Sequence, residues 1–178
     1  MEKKITKNLP DTQANDLLAS ELDAALKEYG QKIIKSGGVL KGALNLSDEQ
    51  VERLYAEGYR LYNSGKYLEA THIFRTLILV NNMEIKYSLG LAACFHMLGE
   101  YENAIQIYGA CITLDPLSPV PHYHMADCYM QTKQNLAALL SLEMVVAKST
   151  NFPSYQVIKE RAALAIESLK EQLQPSKR

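Results

Sequence analysis

Small and large apolar residues recur through residues 51–152 in a pattern written three times, each copy 34 residues after the one before. One column of small residues holds Gly58, Ala92 and Ala126, and another holds Ala70, Ala104 and Ala138. Four positions after the second column stand Phe74, Tyr108 and Leu142, each large and apolar. Between the small columns lie Gly65 and Gly99, with Lys133 in the third copy, which also has Asn135 where the others have tyrosine. The pattern predicts helix, tight turn, helix in each copy. Small residues let two helices cross closely, and glycine supplies the backbone freedom that the turn needs. Ser47 followed by Gln50 predicts a capping box that opens the first helix. In Asp115-Pro-Leu-Ser-Pro119, Pro116 stops one helix, Ser118 is placed to cap the next, and Pro119 suits its first turn.

Outside the copies the pattern changes. Residues 1–14 are polar and without periodicity, which predicts a mobile tail. From about Asp16, the residues Leu18, Leu22, Ala25, Leu26, Tyr29 and Ile33 recur at helical spacing until Gly37-Gly38. This amphipathic stripe needs a partner, either the first hairpin or a second copy of the chain. Residues 15–50 are thus an N-terminal helix with its connecting segment, followed by repeats at 51–84, 85–118 and 119–152. Over residues 153–178 a last stripe, Ile158, Ala162, Ala165, Ile166, Leu169 and Leu173, is interleaved with charge, as expected of a helix that caps a stack of hairpins before the chain end frays.

A 34-residue period with these columns is the signature of the tetratricopeptide repeat. The expected fold is all-α: a solenoid of three helical hairpins between an N-terminal helix and a capping helix. Since each hairpin buries its apolar face only by stacking on its neighbours, the stack leaves a concave surface suited to binding. The first helix of each hairpin lines that surface. Its inner positions are Glu52, Tyr55, Tyr59 and Tyr62, then Lys86, Leu89, Ala93 and His96, then Val120, Tyr123, Asp127 and Met130. Tyr55, Tyr59 and Tyr62 make an aromatic wall with hydroxyl handles, a surface type favoured for rigid amphipathic contact. Small Ala93 between larger neighbours suggests a pocket floor. The candidate peptide-binding residues are Tyr55, Tyr59, Tyr62, Leu89, Ala93, His96, Val120, Tyr123, Asp127 and Met130, suited to an extended apolar segment. The alternative is that the tyrosines pack on the N-terminal helix and serve stability alone.

Composition narrows the chemistry. With 47% hydrophobic and 22% charged residues in 178, the chain suits one sizeable domain, and a formal net charge of -1 without Lys/Arg runs argues against nucleic-acid binding. No stretch approaches a membrane span and the N-terminus lacks a signal-like apolar core, so the expectation is a cytoplasmic protein without direct membrane insertion. Cys94, Cys111 and Cys128 are widely spaced, and Cys94 and Cys128 share a repeat column, which points to packing. His122 and His124, two apart on a helix, cannot share one metal ion and read as one packing and one surface residue; His72 and His96 have no neighbouring ligand types in sequence. Asp48-Glu49 suit a helix N-terminus. No phosphate loop, nucleophile elbow or Cys-His constellation occurs. No enzyme activity, cofactor or metal is expected.

Leu54-Tyr-Ala-Glu-Gly-Tyr-Arg-Leu-Tyr-Asn-Ser-Gly65, Glu69-Ala70, Phe74-Arg75, Gly90-Leu-Ala-Ala93, Pro119-Val120 and Gly38-Val-Leu-Lys41 together resemble the class II chaperones of bacterial type III secretion, the LcrH/SycD-like translocator chaperones. The likeness spans about residues 15–170. It implies a non-catalytic export chaperone that holds hydrophobic translocator proteins in the bacterial cytoplasm. A client segment like Pro-x-Leu-x-x-Pro would lie extended in the groove, with Tyr55, Tyr59 and Tyr62 lining its pockets. It also implies self-association through the N-terminal helix and, in some members, a part in regulating secretion genes. A different reading of the residues is a scaffold or regulatory adaptor, such as a transcription co-regulator, that meets a folded protein on the convex face.

Overall fold

The computed structural model describes residues 46–173, and the expectations for the N-terminal tail, the N-terminal helix and its dimer lie outside them. Among the described residues seven α-helices follow one another: α1 Asp48–Asn63, α2 Tyr67–Val80, α3 Ile85–Met97, α4 Tyr101–Leu114, α5 Val120–Gln131, α6 Asn135–Ser149 and α7 Gln156–Leu173, with a 3-10 turn at Pro153–Tyr155 before the last. They pair as α1/α2, α3/α4 and α5/α6, and α7 packs on α6.

The columns of small residues lie where helices meet. Ala70, Ala104 and Ala138 are fully buried, as are Ala92 and Ala126, and Gly58 is buried in α1. Phe74, Tyr108 and Leu142 are each 1% exposed and fill the space beside them. At about 1.5–3 kcal/mol for each buried large apolar side chain, this column is a main source of stability. In the last hairpin, Leu142 and Val145 join Ala162 and Leu169 of α7, with Ile158, Ala165 and Ile166 packed against them. The stripe of the capping helix is therefore buried on α6 along most of its length, while Leu173 stays 41% exposed at its end.

The turns inside the hairpins share one geometry. Gly65, Gly99 and Lys133 have φ of 75°, 76° and 59°. The N–H groups of Lys66, Glu100 and Gln134 donate to the carbonyls of Leu61, Phe95 and Tyr129, and those of Gly65, Gly99 and Lys133 to Tyr62, His96 and Met130. These are Schellman closures, which satisfy the last carbonyls of each first helix. The third repeat keeps this geometry with a lysine in the left-handed region. Between hairpins, Asn81 and Asp115 act alike, their Oδ1 atoms accepting from Met83 N and Leu117 N at 3.1 and 3.2 Å.

Helix starts also follow local chemistry. Ser47 Oγ accepts from Gln50 N at 3.2 Å while Ser47 N donates to Gln50 Oε1 at 2.8 Å, a complete capping box. Asp48 and Glu49 occupy the first turn, where carboxylates favour the dipole. At α5, Pro119 itself takes the capping position, and Ser118 Oγ accepts from Val120 N at 3.4 Å.

Candidate peptide-binding groove

The first helices carry the inner positions, and the structure gathers them around two cavities. Tyr55, Tyr59 and Tyr62 of α1 meet Lys86, Leu89 and Gly90 of α3 and Phe74 of α2 around about 220 Å³. Tyr55 anchors this wall: its ring lies 6.5 Å from Tyr59, 6.2 Å from Phe74 and 5.8 Å from Tyr87 between centroids. Tyr59 is 55% exposed, so its face is open to a ligand. Lys86 Nζ is 4.6 Å from the Tyr55 ring centroid and 2.6 Å from Glu52 Oε1, and this carboxylate raises the lysine pKa, holding it as a cation. Burial pushes the Tyr62 phenol up, so its hydroxyl stays protonated.

A second cavity of about 250 Å³ lies between α5 and α7. Tyr123, His124, Asp127 and Met130 line it with Leu142, Arg161 and Ala165. Between the two cavities His96 Nε2 lies 2.7 Å from Asp127 Oδ2, tying α3 to α5. Thus Tyr55, Tyr59, Tyr62 and Leu89 share one cavity and Tyr123, Asp127 and Met130 the other, with His96 joined to the second through Asp127. Ala93 and Val120, both half-buried, line neither.

The structure adds to three readings of the sequence. His96 does have a partner, 31 positions away in sequence. Of His122 and His124 neither is a surface residue: both are half-buried, and His124 stacks on Tyr108, with centroids 5.5 Å apart at 17°. The floor of the tyrosine cavity is made by Gly90 over Phe74 rather than by Ala93. A Cβ on Gly90 would sit 2.4 Å from Phe74 Cε1, so only glycine lets that ring pass beneath α3. Arg161 and Ala165 reach the second cavity from the capping helix, which lies outside the three 34-residue copies read in the sequence.

The remaining polar groups serve packing. Cys94, Cys111 and Cys128 are buried free thiols, and burial pushes them up to about 12, 11 and 12, which leaves them protonated and inert. Burial lowers the pKa of both His122 and His124. Among the described residues, no group of three or more His, Cys, Asp or Glu is arranged to hold a metal ion, and no helix is long and apolar enough to cross a membrane.

Stacked hairpins of this period define a helical-repeat protein, and family models described as "Tetratricopeptide repeat" match residues 51–79 and 95–164. Low calcium response locus protein H of Yersinia pseudotuberculosis is 26% identical over 140 residues, which are 79% of this chain and 83% of that protein. The crystal structure of PcrH, a Pseudomonas aeruginosa protein, in complex with the chaperone binding region of PopD is 30% identical with a TM-score of 0.70, covering 72% of this chain and 97% of that one. The Yersinia enterocolitica type III secretion chaperone SycD, in complex with a peptide of the translocator YopD, is 27% identical with a TM-score of 0.69 over 72% of this chain and 98% of that one. The chain belongs to the tetratricopeptide-repeat translocator chaperones of type III secretion.

Proposed function

We propose that this chain is a non-catalytic chaperone of a type III secretion system, binding hydrophobic translocator proteins in the bacterial cytoplasm before export. The observation that carries the reading is the cavity walled by Tyr55, Tyr59 and Tyr62 and floored by Gly90 and Phe74. An extended client segment, of the Pro-x-Leu-x-x-Pro kind, lies along the first helices and seats apolar side chains in this cavity and in the one at Tyr123, Asp127 and Met130. The bound PopD region and YopD peptide of the related chaperones support the assignment. Capture alone keeps the client from premature association. Each buried apolar side chain contributes ~1.5–3 kcal/mol before ordering costs, so a segment with a few anchors binds at micromolar affinity or weaker. Self-association through the N-terminal helix would add contacts beyond this groove.

The test is co-expression with candidate translocators encoded beside the chain, wild type against Tyr59→Glu/Leu89→Glu. Neither side chain is part of the fully buried core. Soluble co-purification lost in the variant, with helicity and melting unchanged, supports the groove. Client capture that survives both substitutions refutes it and favours an adaptor with its partner elsewhere.

A further inference from the structure

The two cavities of the groove differ in how their cations are paired. In the tyrosine cavity Lys86 is already engaged by Glu52 at 2.6 Å. In the second, Asp127 is engaged by His96 at 2.7 Å. Arg161 lines that same cavity from α7 and is exposed. Its helical neighbours at three and four positions, Val157, Ile158, Leu164 and Ala165, offer no carboxylate. Among the described residues, no Asp or Glu lies within ion-pair distance of Arg161, whereas Arg60, Lys86 and Lys170 each have one. A guanidinium at the mouth of an apolar pocket is a planar fork that matches a carboxylate through two parallel hydrogen bonds, and the match strengthens once a bound chain excludes water.

We infer that Arg161 sets a charge preference in the groove: the client segment carries an Asp or Glu side chain beside the apolar residue that fills the α5/α7 cavity. This rests on the groove reading above. Arg161 here is a specificity residue, and the apolar contacts remain the main source of affinity. Asp127 lines the same cavity, but its carboxylate lies 2.7 Å from His96 Nε2 and, among the described residues, outside ion-pair distance of Arg161.

The test is selection from a library of random peptides displayed as internal segments, so that no free C-terminus is presented, on wild type, Tyr59→Glu and Arg161→Glu. Binders lost on Tyr59→Glu define the groove-dependent set. In that set an Asp or Glu should recur at one position relative to an apolar residue, and its change to Gln or Asn should weaken binding about tenfold to wild type. On Arg161→Glu the recurring residue should become Lys or Arg. Groove-dependent binders without a recurring acid, or with the same acid on Arg161→Glu, overturn the charge preference and leave the groove standing. Binders that all survive Tyr59→Glu overturn the groove reading itself, and the preference with it. Equal helicity of the three proteins excludes a folding artefact.

Discussion

Substituting Gly90 by alanine sets two effects of opposite sign against each other. Glycine inside a helix costs roughly 0.5–1 kcal/mol relative to alanine, so helix propensity alone makes Gly90→Ala stabilising. At this position the new methyl would stand 2.4, 2.6 and 2.7 Å from Phe74 Cε1, Cζ and Cδ1. Phe74 is 1% exposed and its ring is held edge-on to Tyr55, so it cannot swing away as the end of a flexible chain would. Overpacking of this kind costs about 1–3 kcal/mol, which exceeds the propensity gain. The net loss spans about 0–2.5 kcal/mol, near 1 kcal/mol at mid-range, lowering the urea midpoint by roughly 0.5 M at unchanged slope. Gly109 provides the control: beyond its chain neighbours and its own helix backbone, no heavy atom lies within 4 Å of a Cβ placed there, so Gly109→Ala keeps only the propensity term and should stabilise by about 0.5–1 kcal/mol. Paired urea titrations followed by circular dichroism decide the matter. The account of a glycine held open by an aromatic ring is wrong if both substitutions raise the midpoint. Should Phe74 relieve the clash by moving, its easiest route is into the tyrosine cavity, and loss of client binding would accompany any remaining stability.

Two further outcomes follow from the turns and the histidines. Lys133 holds φ 59°, where its repeat counterparts are glycines, so Lys133→Gly should raise thermal stability by about 1 kcal/mol; no change in melting temperature would mean that the turn is unstrained. His122 and His124 have folded pKa values below 6.5, lowered first by burial, so the unfolded chain binds more protons beneath that value. Their stabilisation is complete above pH 6.5 and is lost as pH falls through the folded values, before most carboxylates titrate near pH ~4. Urea midpoints should therefore drop between about pH 7 and pH 5, and His124→Gln should flatten that slope; an identical slope in the variant would remove His124 from the explanation.

How much could be read beforehand depends on whether a feature repeats. The buried alanine columns, the Phe74, Tyr108 and Leu142 column and the Ser47 capping box were legible because periodicity and local chemistry determine them. Even Lys133, which looks like a lost turn, keeps the left-handed geometry because the flanking hydrogen bonds close around it. The His96–Asp127 pair, the Tyr108–His124 stack and the approach of Gly90 to Phe74 were not legible. Each joins helices of different hairpins and depends on crossing angles and rotamers that no single-chain spacing encodes. Arg161 was hidden for another reason: its helix reads as a solvated cap, and only docking of that helix on α6 brings the side chain to the groove.

The helices pack chiefly on their neighbours in sequence, so the order of synthesis is also an order of assembly. The tyrosine cavity draws only on residues 55–90, whereas the α5/α7 cavity needs residues up to 165. During translation the aromatic half of the groove can close while the last helix is still being made. The charged half is completed last, so a nascent chaperone presents an adhesive apolar site before it acquires the residue that discriminates among clients.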